Sequence, residues 1–419
     1  MSRAIVIGAG LAGVTTAYEL ARRGFETTLV ERRADVALET SFANGAVLTP
    51  SMADPWNGPG VLRQLLASFC NPHSAMKLRL SALPSLGSWG IRFIRYSSSS
   101  RHEAATKASF QLASYSLRQL ETLATRLALE YDAASVGTVK VFRNAGAMEQ
   151  PLMLARMLAP LGLNYEVLSA AQTVNIEPAL HDIRDRIAGA IRYPDDRSGD
   201  AREFCRKLAA AFRREGGTTR FNVTVSGIAH RAGRVCGVQL EDTLEPADCV
   251  VIAAGNESVR LARPLGISLP IRPAKGYSLT FDVSHVSQRP RVPIVDDVLH
   301  AGVVPIGARL RVVGTAEFAG TDLRIRQERV KNLRHLLEAI YPRIATELAP
   351  TGGIAWTGLR PMSADGLPFI GATRIKGLHV NAGHGHLGWT LAAGSASLLA
   401  DLMEGRTPEI DAAPYRLER

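Results

Sequence analysis

The apolar positions of the chain change period along its length, and the change sorts it into elements. Residues 4–7 form a short, fully apolar run that reads as a buried strand. A glycine-rich turn follows, residues 11–23 have helical composition, Gly24 stops them, and 27–30 form a second apolar strand ending at Glu31. Strand, turn, helix and strand within about 30 residues is the size of a right-handed crossover unit. Residues 41–60 are rich in turn formers, closing on Asp54-Pro55 and Gly58-Pro59-Gly60, and read as loop. From 109 to 131, Leu112, Leu117, Leu120, Leu123 and Leu127 recur at helical spacing, and 137–142 alternates as a strand does.

The stretch 187–255 returns to α/β character. It reads as a strand at 187–193, a helix at 200–214 closed by Gly216-Gly217, strands at 220–225 and 235–241, and an apolar strand at 249–254. Residues 270–315 carry β-rich runs (277–283 and 309–313) without helices between them. A charged helix over 324–341 is ended by Pro342, and the chain closes with a strand at 378–381, a loop at 382–388 and a helix at 389–405. The pattern predicts an α/β protein with a Rossmann-type nucleotide-binding domain from residues 1–80, 196–268 and 350–419. An α+β substrate domain from 81–195 and 269–349, on a mixed and largely antiparallel sheet, is interleaved with it.

Composition adds little to this picture, and charge adds one question. The 419 residues are 46% apolar and 21% charged, an ordinary globular balance. The net charge of +10 favours anionic partners, from carboxylate substrates to acidic membrane surfaces, or is a solvated basic surface. Apolar runs are too short for a membrane span or a signal peptide, and Cys70, Cys205, Cys236 and Cys249 are scattered without zinc-like spacing. A reducing cytoplasmic setting fits them. Nothing resembles a nucleic-acid-binding motif.

The glycine turn carries the first chemistry. Gly8-Ala9-Gly10-Leu11-Ala12-Gly13 matches GxGxxG with a strand before it and a helix after it. Gly8 permits the tight turn, Gly10 lets a pyrophosphate approach the backbone, and Gly13 allows close helix–strand packing. The helix N-terminus offers free N–H groups to phosphates, and Glu31, with Arg32 beside it, ends the second strand where ribose hydroxyls need an acceptor. NAD and FAD share this fingerprint. Two further segments favour FAD: the apolar strand running to Gly255, and a C-terminal strand whose glycine loop leads into a helix near Trp389–Thr390. That helix N-terminus suits negative charge on a reduced flavin.

Five separated blocks then carry a resemblance: LETSFAN at 38–44, PDDRSGD at 194–200, KGYSLT at 275–280, WTGLRPM at 356–362 and GHGHLGWT at 383–390. In these the chain resembles, almost end to end, the bacterial D-amino-acid dehydrogenases within the wider glycine/D-amino-acid oxidase and sarcosine oxidase family. The resemblance implies that Ser41 and Asn44 lie near the FAD diphosphate and ring, and that Val225 meets adenine through its backbone. It implies that the Gly383, His384, Gly385 loop wraps the isoalloxazine, with Gly388 and Thr390 near its pyrimidine edge. Arg360 matches the arginine that grips a substrate carboxylate, and Tyr277 matches a pocket tyrosine. Gly383-His384 departs from the Gly-Asp of many flavoproteins, so that motif assigns no ribityl contacts. Sarcosine oxidases hold flavin through a C-terminal cysteine; no cysteine follows Cys249 here, so FAD is expected to be non-covalent.

The implied activity is oxidative deamination of small D-amino acids, with electrons passed to a quinone. Alternatives are an oxidase using O2, a D-proline or hydroxyproline-type dehydrogenase, or a flavin-bearing subunit of a larger complex. An arginine suits the carboxylate because its planar fork pairs bidentately, and the flavin removes any need for a protein nucleophile. Each residue also has a plainer reading: Arg360 as a structural cation with Arg309 or Arg311 as the clamp, Tyr277 as core, Lys275 as solvent-facing. His384 and His386 lack a nearby acidic partner for a metal and read as loop lining. Six basic residues (Lys77, Arg79, Arg92, Arg95, Arg101, Lys107) surround Trp89, Ile91, Phe93 and Ile94. That cluster suits peripheral contact with an anionic membrane on the cytoplasmic face, or is a helix buried against the substrate domain.

Overall fold

In the computed structural model, which describes residues 2–63, 76–79, 82–241, 243–297, 299 and 301–419, the first strand (Arg3–Ile7) is central to a six-stranded sheet. Parallel neighbours are Glu26–Val30 on one side and Cys249–Ile252 on the other, with Thr218–Arg220 and Leu378–Ala382 beyond them. Only Phe369–Ala372, at one edge, runs antiparallel. Strands buried on both faces explain the unbroken apolar runs. Helices Leu11–Arg22, Ser99–Leu127, Ala201–Arg214 and Gly388–Glu404 cover one face, around Val14, Leu20, Leu112, Phe204 and Leu398. A three-stranded antiparallel sheet (Val225–Arg231, Arg234–Leu240, Thr243–Pro246) closes over the other.

The second unit is a nine-stranded, largely antiparallel sheet. Its order from one edge is Ile354–Ser363, Ile271–Asp282, Arg309–Phe318, Ala301–Ile306, Ile294–Asp296, Thr138–Phe142, Gly189–Tyr193 and Glu166–Leu168, with Met76–Leu78 beside Arg309–Phe318. Helices Gln327–Ile340 and Pro342–Leu348 bury their apolar stripes on it through Leu333, Leu337, Ile340 and Ile344. Ile354–Ser363 is paired to Ile271–Asp282 over ten residues. Sorted by sheet, the last crossing therefore falls after Ser363, where a boundary at 350 was expected, and Met76–Leu78 joins this sheet too.

Several elements differ from expectation for local reasons. The strand expected over 220–225 is the end of one strand and the start of another, because Asn222 turns the chain with a left-handed φ of 58°. The helix expected from 109 begins at Ser99, since its first turns bury only small residues such as Ala105, Thr106 and Ala108. Pro342 ends one helix and begins the next at its first position, where a fixed φ and a missing N–H cost nothing. The basic segment splits both ways. In helix Leu83–Arg95, Trp89 and Phe93 face inward, with Trp89 Nε1 donating to the Met362 carbonyl, while Ile91 is 71% exposed and Ile94 43%.

One buried carboxyl ties the two units together. Asp196 is wholly buried and accepts from the Ser51 hydroxyl (2.5 Å), the Ser51 N–H (3.3 Å) and the Thr138 hydroxyl (2.5 Å), with no cation among its partners. Desolvation pushes its pKa up to about 7. A raised folded-state value means that its stabilising contribution is complete below about pH 4 and is lost as pH rises through about 7. Between pH 6 and 7 the loss should be about 1 kcal/mol, and little remains to be lost above pH 8. Thermal unfolding of Asp196→Asn should lack this component, so melting curves of the two proteins that stay parallel from pH 6 to 8.5 would contradict it.

Candidate active site

The carboxyl ends of the central strands open into one cavity of about 1170 Å³, more than a drug-sized pocket usually offers. It reaches from the start of helix Leu11–Arg22 to the face of the nine-stranded sheet. At the first end the backbone is jammed close. A Cβ on Gly13 would lie 1.7 Å from the Gly8 carbonyl oxygen, and one on Gly8 would lie 2.9 Å from that of Ala253. Gly8 also has φ +100°, which a side chain resists. Gly13 therefore does the packing and does not line the cavity, while Gly8 and Gly10 do.

Glu31 organises this end. Its Oε2 accepts from Ala9 N (2.7 Å) and its Oε1 from Arg33 N (2.9 Å), so the carboxylate clamps the glycine turn while facing the cavity. Ser41 Oγ accepts from Leu11 N (3.2 Å), which leaves its hydroxyl hydrogen for a ligand. Arg32 pairs with Glu39 at 2.6 Å on the rim. Asn44 and Val225 line the cavity, although Asn44 Oδ1 is held by Ala46 N and the Val225 carbonyl by Arg260 Nη2. Gly255, at φ +54°, lies on the same wall.

The C-terminal loop forms a third wall through His384, Gly385 and Gly388. Gly383 sits behind it in a left-handed turn. Thr390 is buried, and its hydroxyl accepts from Thr49 N at 3.0 Å, so it holds a neighbouring loop. His384 pairs with Ser395 Oγ at 3.0 Å, and burial lowers its pKa to about 4, so it is neutral. Orphaned polar atoms remain on the walls: Asn256 Oδ1, Trp389 Nε1 and Arg360 Nη1 are buried without a partner. Glycines whose side chains would fill the cradle, a helix N-terminus and unpaired donors fit a long, phosphate-bearing cofactor with a planar ring.

Arg360 projects from strand Ile354–Ser363 at the junction of the two sheets. Its guanidinium lies against Gly276, where a Cβ would come within 2.1 Å of Nη1. It sits 5.6 Å from the centre of the Trp56 ring, and among the described residues no carboxylate is within ion-pair distance. Desolvation lowers its pKa to about 10, so it stays charged at neutral pH. The fallback arginines are committed elsewhere. Arg309 pairs with Asp132 and Asp200, and Arg311 donates to the Asn44 carbonyl and the Thr280 hydroxyl.

Tyr277 is core and wall at once. Its ring packs with Leu279 and Val312, and its buried hydroxyl donates to Glu317 at 2.9 Å. Lys275, expected in solvent, is fully buried and donates to the Arg324 carbonyl at 2.5 Å, because its strand is covered on both sides. Sequence reasoning missed Trp56, Asp54 and Gly276. Trp56 and Asp54 belong to a turn-rich loop with no periodic signal, and Gly276 matters only because of what lies across from it. Trp56 stacks on His386 (5.2 Å, 21°), and the farther wall carries the Lys140–Asp297 pair at 2.7 Å.

Known proteins supply the family. The family model described as FAD dependent oxidoreductase matches residues 3–402. A D-amino acid dehydrogenase of Xanthobacter autotrophicus is 37% identical over 418 residues, covering 100% of this chain and 99% of the relative. One from Bradyrhizobium diazoefficiens is 35% identical over 417 residues, covering 100% and 98%. In fold, the chain is similar to glycine oxidase from Geobacillus kaustophilus (TM-score 0.76, 22% identity, 100% and 99% covered). It is also similar to L-proline dehydrogenase from P. horikoshii (TM-score 0.77, 18% identity, 100% and 98% covered). With a glycine-built nucleotide cradle at one end of the cavity and relatives matched over their full length, the chain belongs to the FAD dependent oxidoreductase family, and FAD is its cofactor.

Proposed function

We propose that the cavity holds FAD against the helix Leu11–Arg22 and, at its far end, a small D-amino acid whose carboxylate pairs with Arg360. The observation that carries this reading is a cavity-facing guanidinium left without an anion. Desolvating a charge costs several kcal/mol unless a partner compensates it, and a bound carboxylate supplies that partner. The D configuration is supported by the two bacterial relatives named D-amino acid dehydrogenase. The turn at Gly8–Gly10 and the free N–H groups of the helix face the pyrophosphate, and Ser41 and Asn44 flank it. Glu31 and Arg32 serve the ribose, Val225 and Gly255 the adenine end, and His384, Gly385 and Gly388 the ring.

FAD, when bound, supplies the two-electron acceptor for the hydride that leaves the substrate's α-carbon. The protein's part is to hold the carboxylate in a fixed fork, present the α-carbon and exclude water. Tyr277 contributes ring surface to the wall, its hydroxyl being committed to Glu317. The imino acid then hydrolyses to a 2-keto acid and ammonia. Electrons leave to a quinone-type acceptor, and the exposed Ile91 and Ile94 beside Arg92 and Arg95 form a face suited to peripheral contact with anionic lipid. Among the described residues no helix is long and apolar enough to cross a membrane.

The clamp is tested by substitution. Losing one partner of a buried charge pair costs about 2–5 kcal/mol, so Arg360→Ala should lower kcat/KM by roughly 30- to 4000-fold. Arg360→Lys should recover part of the loss, because an ammonium cannot reproduce the fork. Gly276→Ala, whose Cβ would displace the guanidinium, should cost at least about 10-fold. FAD content should stay at the wild-type level in all three, and an Arg360→Ala protein with normal turnover would place the clamp elsewhere.

Cofactor attachment and electron exit have separate tests. Cys205, Cys236 and Cys249 are free thiols that do not line the cavity, and Cys70 lies outside the described residues. Denaturation should therefore release intact FAD into the supernatant; colour retained by the precipitate would refute non-covalent binding. Quinone or dye should reoxidise the reduced protein much faster than O2, and hydrogen peroxide formed at full turnover speed would make it an oxidase. Sedimentation with anionic vesicles should weaken with rising salt, and further on Ile91→Asp.

A further inference from the structure

Deamination through a clamped carboxylate leaves one proton unassigned. A free amino acid carries an ammonium at neutral pH, and no hydride can leave the α-carbon until its nitrogen has recovered an electron pair. His386 lies beside the place where this must happen. Its ring stacks on Trp56 at 5.2 Å, and the Arg360 guanidinium lies 5.6 Å from the centre of the same Trp56 ring. His386 Nε2 lies 3.2 Å from the Met52 carbonyl oxygen. A carbonyl only accepts, so Nε2 carries the hydrogen and Nδ1 of the neutral ring holds a lone pair. The ring lines the cavity, and no partner for Nδ1 is found among the described residues.

The geometry points to His386 Nδ1 as the proton acceptor for the substrate's ammonium, an assignment that rests on the amino-acid reading of the site. One N–H bond of the ammonium breaks, an Nδ1–H bond forms, and the electron pair stays on the substrate nitrogen. That pair then forms the C=N bond as the α-hydrogen leaves for FAD with its two electrons. The proton on His386 returns to solvent after the product has gone.

Charges around the ring favour this timing. Two ionisable groups act on His386: Asp54, on the same loop as Trp56, favours its protonated form, and Arg360 opposes it. Burial is the largest influence and lowers the pKa of the imidazole below its ordinary value, which favours the neutral ring. A substrate carboxylate on Arg360 cancels the opposing charge, while Asp54 remains. Binding therefore makes the ring more basic at the moment an ammonium is delivered to it.

The decisive variant is His386→Gln, whose amide can still donate to the Met52 carbonyl but cannot take up a proton. General base catalysis typically contributes about 10²- to 10⁴-fold, so kcat/KM for a D-amino acid should fall by about 100-fold or more at pH 7. The deficit should shrink to within about tenfold near pH 10, where the substrate amine is already neutral. FAD content should be unchanged, and propionate, a carboxylate without an amine, should perturb the flavin spectrum with wild-type affinity. A deficit of equal size at every pH would reduce His386 to a wall of the pocket, and unimpaired turnover at pH 7 would remove it from the reaction. If propionate perturbs the wild-type and Arg360→Ala spectra alike, the substrate reading itself fails, and the proton acceptor fails with it.

Discussion

The close approach of the first helix to the first strand is the constraint from which the rest of the molecule follows. A Cβ on Gly13 would sit 1.7 Å from the Gly8 carbonyl oxygen, so only glycine lets the helix begin directly against the strand end. That start places the helix N-terminus, with its unpaired N–H groups, at the carboxyl edge of a parallel sheet. Glu31 then reaches back from the neighbouring strand to Ala9 N and holds the turn in shape. A partial positive charge in a concavity results, which suits a pyrophosphate.

The substrate end rests on the seam between two sheets. Ser278 Oγ donates to the Ala43 carbonyl, Thr40 Oγ1 and Asn256 Nδ2 both donate to the Leu359 carbonyl, and Asp196 joins Ser51 to Thr138. These polar contacts hold the cofactor-side loops against the nine-stranded sheet, and the two at Leu359 hold them to the strand that bears Arg360. A rigid seam matters because a misplacement of about 1 Å can cost a factor of about 100 in rate. Gly276 belongs to the same arrangement, since any side chain there would drive the guanidinium off its strand.

Electrostatics separates this site from the ion pairs elsewhere in the molecule. Arg309 has Asp132 and Asp200, and Arg23 has Glu19, Asp401 and Glu404, so those cations are already compensated. Arg360 has an aromatic ring and an empty face. An aromatic face offers a desolvated cation about 2 kcal/mol, less than the cost of removing it from water. That shortfall is what the proposed substrate carboxylate would offset, and the same charge bears on His386.

Much of the fold was legible in the sequence, because local patterns encode it directly. The strand–turn–helix–strand at residues 3–31, the apolar strand Cys249–Ile252 and the final strand, loop and helix fell close to where periodicity and glycine spacing put them. The mixed, largely antiparallel sheet was also foreseen from β-rich runs without helices. What the sequence could not determine depends on partners distant along the chain. Lys275 looked solvent-facing until its strand was found covered on both sides, and no local pattern pairs the Thr390 hydroxyl with Thr49 N. Trp56 and His386, 330 residues apart, meet only because a turn-rich loop is packed onto the C-terminal glycine loop. Periodicity records which face of an element is buried; which polar atoms face one another across a cavity is settled by tertiary packing alone.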